Sequence, residues 1–328
     1  MSGVLRLGVS GLRLVWRSYG LVLLLLAVNL ALPLLLAIPM KGALEASLEH
    51  KDAASNMMYG FDHAWWSAWS EDQKGVLSTF GPEVAGAGFV LRNWDLALRG
   101  ALPVPLRKAG PDGPTLDGVL AAFGLLYLLL QTFLAGGILA IFRAPPGSWS
   151  LRGLLHGSGF YFGRLFRLAL IVLVVDAAIL KVDGGILPLV HRLAMDSTSE
   201  ATALVWSFGH VALLALLLLA VHMIAGYAKV ITVLEERTSA ILAFLSSVGF
   251  CLSRIGRTTG HYLFILVLGG ATLYVWSLGD HAFAATGYKS QILVFAWSQA
   301  LIGARVFLRL GLLGGQMEIY RSSNSGRR

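Results

Sequence analysis

The run LVLLLLAVNLALPLLLAI (residues 21–38) contains eighteen residues and no charge. At 1.5 Å per residue, a helix of about this length nearly crosses a bilayer core of about 30 Å. The run lacks the alternation of a barrel strand, so it reads as a membrane helix. Five further stretches read the same way, giving spans at 19–38, 119–142, 165–181, 203–224, 262–278 and 292–313. Only 13% of the 328 residues are charged and 56% are apolar, whereas a soluble domain carries about 25% charge. The predicted fold is all-α, a polytopic membrane protein with six transmembrane helices in a single integral membrane domain over 1–328.

Arg6, Arg13 and Arg17 precede the first run, as in a secretory signal. The run is long for a signal core and no clear A-x-A site follows Met40, so an uncleaved span is expected. Cys251 is the single cysteine, which excludes an intrachain disulfide and a thiolate metal cluster.

The net charge of +8 is unevenly placed. The N-terminus, 143–167, 225–260 and the tail from Arg305 hold 16 Lys/Arg and 3 Asp/Glu; the intervening segments hold 10 and 15. Basic loops stay on the cytoplasmic side, so both termini are expected there. The basic excess reads as topology and attraction to anionic lipid, not nucleic-acid binding.

Three arginine pairs precede the odd-numbered spans: Arg13 and Arg17, Arg164 and Arg167, Arg254 and Arg257. A spacing of three or four puts each pair on one helix face. An amphipathic stretch leads into each pair. Ile241, Phe244, Leu245, Val248, Leu252 and Ile255 form the clearest. Leu151, Leu154, Leu155, Phe162 and Leu165 form the second, and Leu5, Val9, Leu12 and Trp16 the shortest. These helices are expected to lie in the inner interface, arginines at headgroup level, before turning into the span. The chain then reads as three helical-hairpin repeats, at about 4–143, 150–235 and 239–321.

GGILAIFR (136–143) and GGQMEIYR (314–321) end the inward spans of the first and third repeats; AGYAKVIT (225–232) stands at the matching place in the second. No strand precedes the glycines and no phosphate-loop fingerprint is complete. Gly136, Gly137, Gly314 and Gly315 therefore read as close-packing positions. Aligning the two GG motifs sets Arg305 against Tyr127 and Arg309 against Gln131. Arg305 then falls inside the apolar slab, where an arginine needs a partner, water or a route to the surface. Arg305, Arg309 and Gln131, with the inner Arg164, Arg167, Arg254 and Arg257, are the candidate lipid- or ligand-binding residues.

Residues 41–117 form a long, acidic outer insertion. GFDHAWWSAWSED (60–72) and GFVLRNWDLALRG (88–100) have helical potential, and Trp65, Trp66 and Trp69 suit a membrane–water interface. PVPLRKAGPDGP (103–114) is turn-rich. This insertion is the expected contact for a protein partner.

Other polar residues support bland readings. His210 and His222 on span four stand about 120° apart and face no mid-span histidine, which argues against haem. His63 with Asp62, Glu71 and Asp72 lacks a metal-ligand spacing. Glu235 and Glu236 read as a helix end beside Arg237. No catalytic constellation, metal site or cofactor is expected.

The run from GGILAIFR through LRGLLHGSGFYFGRLFRLAL to GYAKVITVLEERTSAILAFLSSVGFCLSRIGRTTGHYLF resembles poorly characterised bacterial six-span membrane proteins. These are similar to the membrane domain found beside some glycerophosphodiester phosphodiesterases. The resemblance implies an inner-membrane, all-helical protein and no catalytic residues; the phosphodiesterase domain itself is missing. The expected role is an accessory, scaffold or transport-linked subunit contacting membrane lipids. The alternatives are a transporter for a lipid-like or anionic solute, and a membrane-embedded lipid enzyme.

Overall fold

A computed structural model describes residues 2–49, 52–56, 62–73, 77, 107–110, 113–116, 118–145, 149–282 and 288–324. The predicted helix at 88–100 lies outside them. The described chain is helical apart from one ribbon. In order, it comprises α1 (Ser2–Arg17), α2 (Tyr19–Leu48), α3 (Asp52–Asn56), α4 (His63–Asp72), β1 (Arg107–Gly110) and β2 (Gly113–Leu116). Then follow α5 (Gly118–Arg143), α6 (Leu151–Met195), α7 (Glu200–Leu234), α8 (Ala240–Ser253), α9 (Ile255–Ala282) and α10 (Tyr288–Asn324). The stretch read as a turn-rich linker pairs as an antiparallel ribbon, with Arg107 opposite Leu116 and Gly110 opposite Gly113.

Among the described residues, four helices are long and apolar enough to cross a membrane: Gly124–Arg143, Glu200–Leu234, Ile255–Gly279 and Ile292–Asn324. A fifth forms if Gly8–Arg17 and Tyr19–Ala31, bent by 80°, count as one broken span. This is the make-up of a multi-pass membrane protein. The stretch expected as span three lies inside α6. There the apolar run 168–180 contains Asp176 and is flanked by Arg167, Lys181 and Asp183, so α6 is not among the four.

The three amphipathic stretches enter their following helices differently. Ser18 breaks α1 from α2, and Arg254 breaks α8 from α9. The second stretch does not turn. α6 runs unbroken for 45 residues, about 67 Å at the α-helical rise. Its first half lies along α5, where Gly157 meets Ala140 and Gly137, and Phe133 meets Phe162 edge-on. That continuous contact leaves no place for a turn.

Close backbone approach organises the bundle at one end, named here the basic end for Arg143, Arg237 and Arg321. A methyl at Gly137 would overlap the Leu154 carbonyl and the Ser158 hydroxyl. A methyl at Gly11 of α1 would overlap the backbone of Gly315 on α10, and Gly314 packs back on Gly11. Without side chains at these points the helices approach closely and maximise dispersion contact. Around them, α5, α7 and α10 pack against one another, α1 lies on α10, and α8 lies on α7. Phe142, Leu165, Tyr227, Ile231, Met317 and Ile319 are buried there.

Away from this end the helices are bare. Half of the apolar stretch of α5 is buried, against 11% in α7 and α9 and 6% in α10. Surfaces of this length and apolarity are stable only against lipid or another protein.

Candidate functional site

The arginines at the basic end are largely engaged by protein. Arg143, the last residue of α5, donates through Nη1 to Tyr161 Oη (3.1 Å), the Val233 carbonyl (3.2 Å) and Glu236 Oε1 (2.6 Å). Arg321 of α10 donates to the Phe142 and Arg143 carbonyls at 3.2 and 3.3 Å and pairs with Glu318. Arg237 holds Glu235 at 2.6 Å and Ser246 at 2.8 Å, and Glu235 also accepts the Tyr320 hydroxyl. The free carbonyls at the ends of α5 and α7 thus find cationic donors.

The predicted lipid-contact arginines divide on this basis. Arg164 donates to the Glu236 carbonyl (3.0 Å) and lies over Phe160, 5.0 Å from the ring centre. Arg254 donates to the Ser323 carbonyl (3.3 Å) and lies over Phe250. Both clamp backbone and aromatic faces. Arg167 turns back onto the Gly163 carbonyl of its own helix (3.0 Å), and Arg257 is exposed.

A second polar group joins α6 to α7. His210 Nε2 lies 2.7 Å from Asp183 Oδ1, with side-chain exposures of 10% and 14%. Asp176, two turns from Asp183 on the same face, lies near enough to His222 for their charges to interact. Its Oδ1 is buried without a hydrogen-bond partner among the described residues. His222 itself bonds the Leu218 carbonyl at 2.9 Å. The sequence signal for Asp183 is the seven-residue spacing of two aspartates in an apolar helix.

The third group lies between α7 and α10. Gly226 leaves room for the Gln316 side chain, whose amide nitrogen would stand 2.5 Å from a methyl there. Gln316 is 1% exposed, and neither its Oε1 nor its Nε2 has a partner among the described residues. Arg305, Arg309 and Gln316 project within about 40° of one another on α10. Lys229 stands three residues beyond Gly226, and its charge interacts with that of Arg309. Lys229 is partly buried while Arg305 and Arg309 are exposed. None of the three cations has an ion-pair partner among the described residues. Arg309 lies about 18 Å along α10 from Arg321. Gln131 is partly buried on α5, outside this group. Lys229 was missed because span four was ended at 224, whereas α7 continues to Leu234.

The remaining polar candidates have structural partners. Asp62 caps α4, accepting from Trp65 N at 2.9 Å and Asn56 Nδ2 at 3.3 Å. The Trp65 amide holds its carboxyl below the usual carboxylate range. Trp65 and Trp69 stack at 5.5 Å and are buried against Leu44 and Leu48, instead of facing an interface. His261 is fully buried within α9, its Nε2 3.1 Å from the Leu312 carbonyl. Among the described residues no three His, Cys, Asp or Glu converge to hold a metal ion.

Comparison with protein-family models, curated proteins and solved structures finds no match.

Proposed function

We propose that the chain is a six-span inner-membrane protein that binds the anionic headgroup of a lipid-like solute between α7 and α10, as a transporter or a transport-linked subunit. The observation that carries this reading is that Lys229 and Arg309, in two apolar helices, are near enough for their like charges to interact and have no acidic partner among the described residues. An arginine at the centre of a membrane helix costs roughly 2.5–3.5 kcal/mol, and a second cation beside it adds repulsion. A phosphate or carboxylate offsets both terms. Gln316, packed at Gly226 with neither polar atom partnered among the described residues, supplies a neutral donor and acceptor on the same face of α10 as Arg309.

The six spans and three repeats belong to the same proposal. The helix contacts support it: the start of α6 lies on α5, α8 lies on α7, and α1 lies on α10. Each amphipathic element packs on the inward span of the preceding repeat, and the first packs on the last. The excess of basic residues assigns the basic end and both termini to the cytoplasm.

The test is lipid retention by purified protein in a non-ionic detergent, read by native mass spectrometry with phosphatidylglycerol and phosphatidylcholine supplied equally. Preferential retention of phosphatidylglycerol, lost in Lys229→Met/Arg309→Met, is expected. Equal retention of both lipids by the parent protein would overturn the reading. The bare outer lengths of α7, α9 and α10 favour a second reading, an accessory or scaffold subunit whose helices cover those surfaces. Co-purification of a stoichiometric membrane partner at α7, α9 or α10 is its mark.

A further inference from the structure

Two groups on the α6–α7 pair lack a proton donor. Asp176 Oδ1 is buried without a hydrogen-bond partner among the described residues. An ionised carboxylate in an apolar helix is costly when one of its oxygens has neither water nor a donor. Asp176 therefore calls for a proton or a counter-charge, and the charge that acts on it is that of His222. His222 Nδ1 lies 2.9 Å from the Leu218 carbonyl, which can only accept, so Nδ1 carries the hydrogen. In the neutral ring Nε2 is then a bare acceptor, and it makes no hydrogen bond among the described residues. Two proton acceptors thus stand near enough for their charges to interact, each with an open position.

The same imidazole is placed near the anion site. His222 and Lys229 are seven residues apart on α7, which sets them within about 20° on one face and about 10 Å apart along the axis. Lys229 in turn interacts with Arg309. Without an anion, these two cations oppose a third positive charge on His222. A phosphate or carboxylate bound to them removes that opposition. At about 10 Å and an effective dielectric of about 20, one unit charge shifts an equilibrium by roughly tenfold.

The helices packed on α6 and α7 supply the rest of the field. Toward the end away from the basic end stand Lys181, Asp183 and His210. His210 Nε2 lies 2.7 Å from Asp183, so Asp183 has its own partner and Asp176 is the open carboxyl on this stretch of α6. α10 brings Arg305 and Arg309, and α5 brings Tyr127 and Gln131, which are uncharged. Arg164 and Arg167 of α6, Tyr227 of α7, Arg143 of α5, Cys251 of α8 and His261 of α9 lie toward the basic end. His222 is thus bracketed on its own face by one open carboxyl and one cation pair.

We infer that Asp176 and His222 form a proton-binding site coupled to the anion site on Lys229 and Arg309, so that a bound anionic solute draws a proton onto the pair. This rests on the headgroup reading above and deepens it by naming the proton as a second ligand. The step is an association only: the proton comes from water and ends on the Asp176–His222 pair, and no bond of the solute breaks. By reciprocity, protonation strengthens anion binding by the factor by which the anion strengthens protonation. In a transport cycle this makes the proton a co-substrate of the solute.

The experiment is calorimetric titration of the full chain, purified in non-ionic detergent, with phosphatidylglycerol bearing six-carbon chains, whose phosphodiester stays ionised throughout. Buffers of different ionisation enthalpy read the protons taken up on binding. From about pH 8.5 to about pH 5.5 the affinity is expected to rise roughly tenfold, with uptake of about half a proton at its maximum. His222→Gln keeps a donor for the Leu218 carbonyl and removes the titrating nitrogen. Its affinity is expected to vary by less than about twofold over the same range. Asp176→Asn keeps the shape of the side chain and removes the carboxylate; a fall in proton uptake of at least about twofold is expected. Lys229→Met/Arg309→Met tests the headgroup reading separately, by lowering binding at every pH.

A parent protein that binds the lipid with equal affinity across the range and without proton uptake overturns the proton site and leaves the headgroup reading standing. Uptake unchanged in either His222→Gln or Asp176→Asn overturns it as well. A parent protein that binds the lipid at no pH overturns the headgroup reading and this inference with it. Uptake reduced in both variants, with binding at about pH 8.5 intact, establishes the site.

Discussion

Arg143 Nη1 donates to Glu236 Oε1 at 2.6 Å, and Glu236 is held at a backbone φ of 52°. The ion pair is about half exposed on both sides, so it contributes well under about 1 kcal/mol. The left-handed backbone costs a non-glycine residue roughly 1–2 kcal/mol. Backbone strain therefore outweighs the ion pair. Glu236→Gly is expected to be neutral or stabilising, and Glu236→Ala, which keeps the strain and loses the pair, destabilising. Thermal unfolding in detergent should separate the two by about 1 kcal/mol; a less stable glycine variant would show that the ion pair is the stronger effect.

Gly137 and Gly159 lie on adjacent helices and make opposite predictions. A methyl at Gly137 overlaps the Leu154 carbonyl, while one at Gly159 meets open space. Gly137→Ala must push α6 from α5, a loss of about 1–3 kcal/mol. Gly159→Ala gains up to about 1 kcal/mol of helix propensity. Melting curves of the two variants check both signs, and a Gly137→Ala protein as stable as the parent would refute the close approach.

The run 21–38 and the GG motifs made a membrane bundle with close contacts legible from sequence, because apolar length and small residues act locally. Other features needed partners distant in the chain. The continuity of α6 depends on Gly157 meeting Ala140. The interior position of Trp65 depends on Leu44 and Leu48, with Ser47 accepting its Nε1–H at 3.1 Å. Arg305 and Arg309 stood out as charges in an apolar span. Lys229 did not, since AGYAKVIT resembles a helix end until α10 is placed beside it.

Cys251 is buried in α8, and burial pushes its thiol up to about 12. At pH 7.5 the folded protein therefore holds almost no thiolate, the reactive form. Maleimide labelling is expected to be at least about a hundredfold slower than in the unfolded chain, whose thiol titrates near 8.5. The rate should rise with pH until global unfolding intervenes. Fast labelling of native protein at pH 7.5 would place Cys251 at a surface.

Asp62 links acid to the packing of Trp65 and Trp69. Its carboxyl sits below its ordinary value because Trp65 N–H and then Asn56 donate to it. A group whose folded pKa is depressed stabilises fully above its unfolded value, near 3.9, and loses that contribution as pH falls through the lower folded value. Tryptophan emission should shift red over that acidic window. Asp62→Asn should retain the cap, since Asn serves as well at this position, while abolishing the pH step. An unaltered step in Asp62→Asn would assign the transition to another carboxylate.

Lys229 and Arg309 should reveal themselves through opposite effects of one substitution. Without ligand, their like charges repel in a medium of low dielectric, so removing one relieves the ligand-free protein. Lys229→Met keeps the length and apolar stem of the side chain while deleting its charge. The variant is expected to unfold at higher temperature in neutral detergent, by about 1 kcal/mol. The same variant should retain less phosphatidylglycerol, because an anion offsets two cations better than one. Added phosphatidylglycerol should then stabilise the parent protein more than the variant, narrowing or reversing the difference in melting temperature. A structural lysine would show the reverse pattern, with Lys229→Met less stable and equally responsive to lipid. The sign of the melting shift without lipid, and the change in that shift on adding lipid, decide between a binding site and a packing residue.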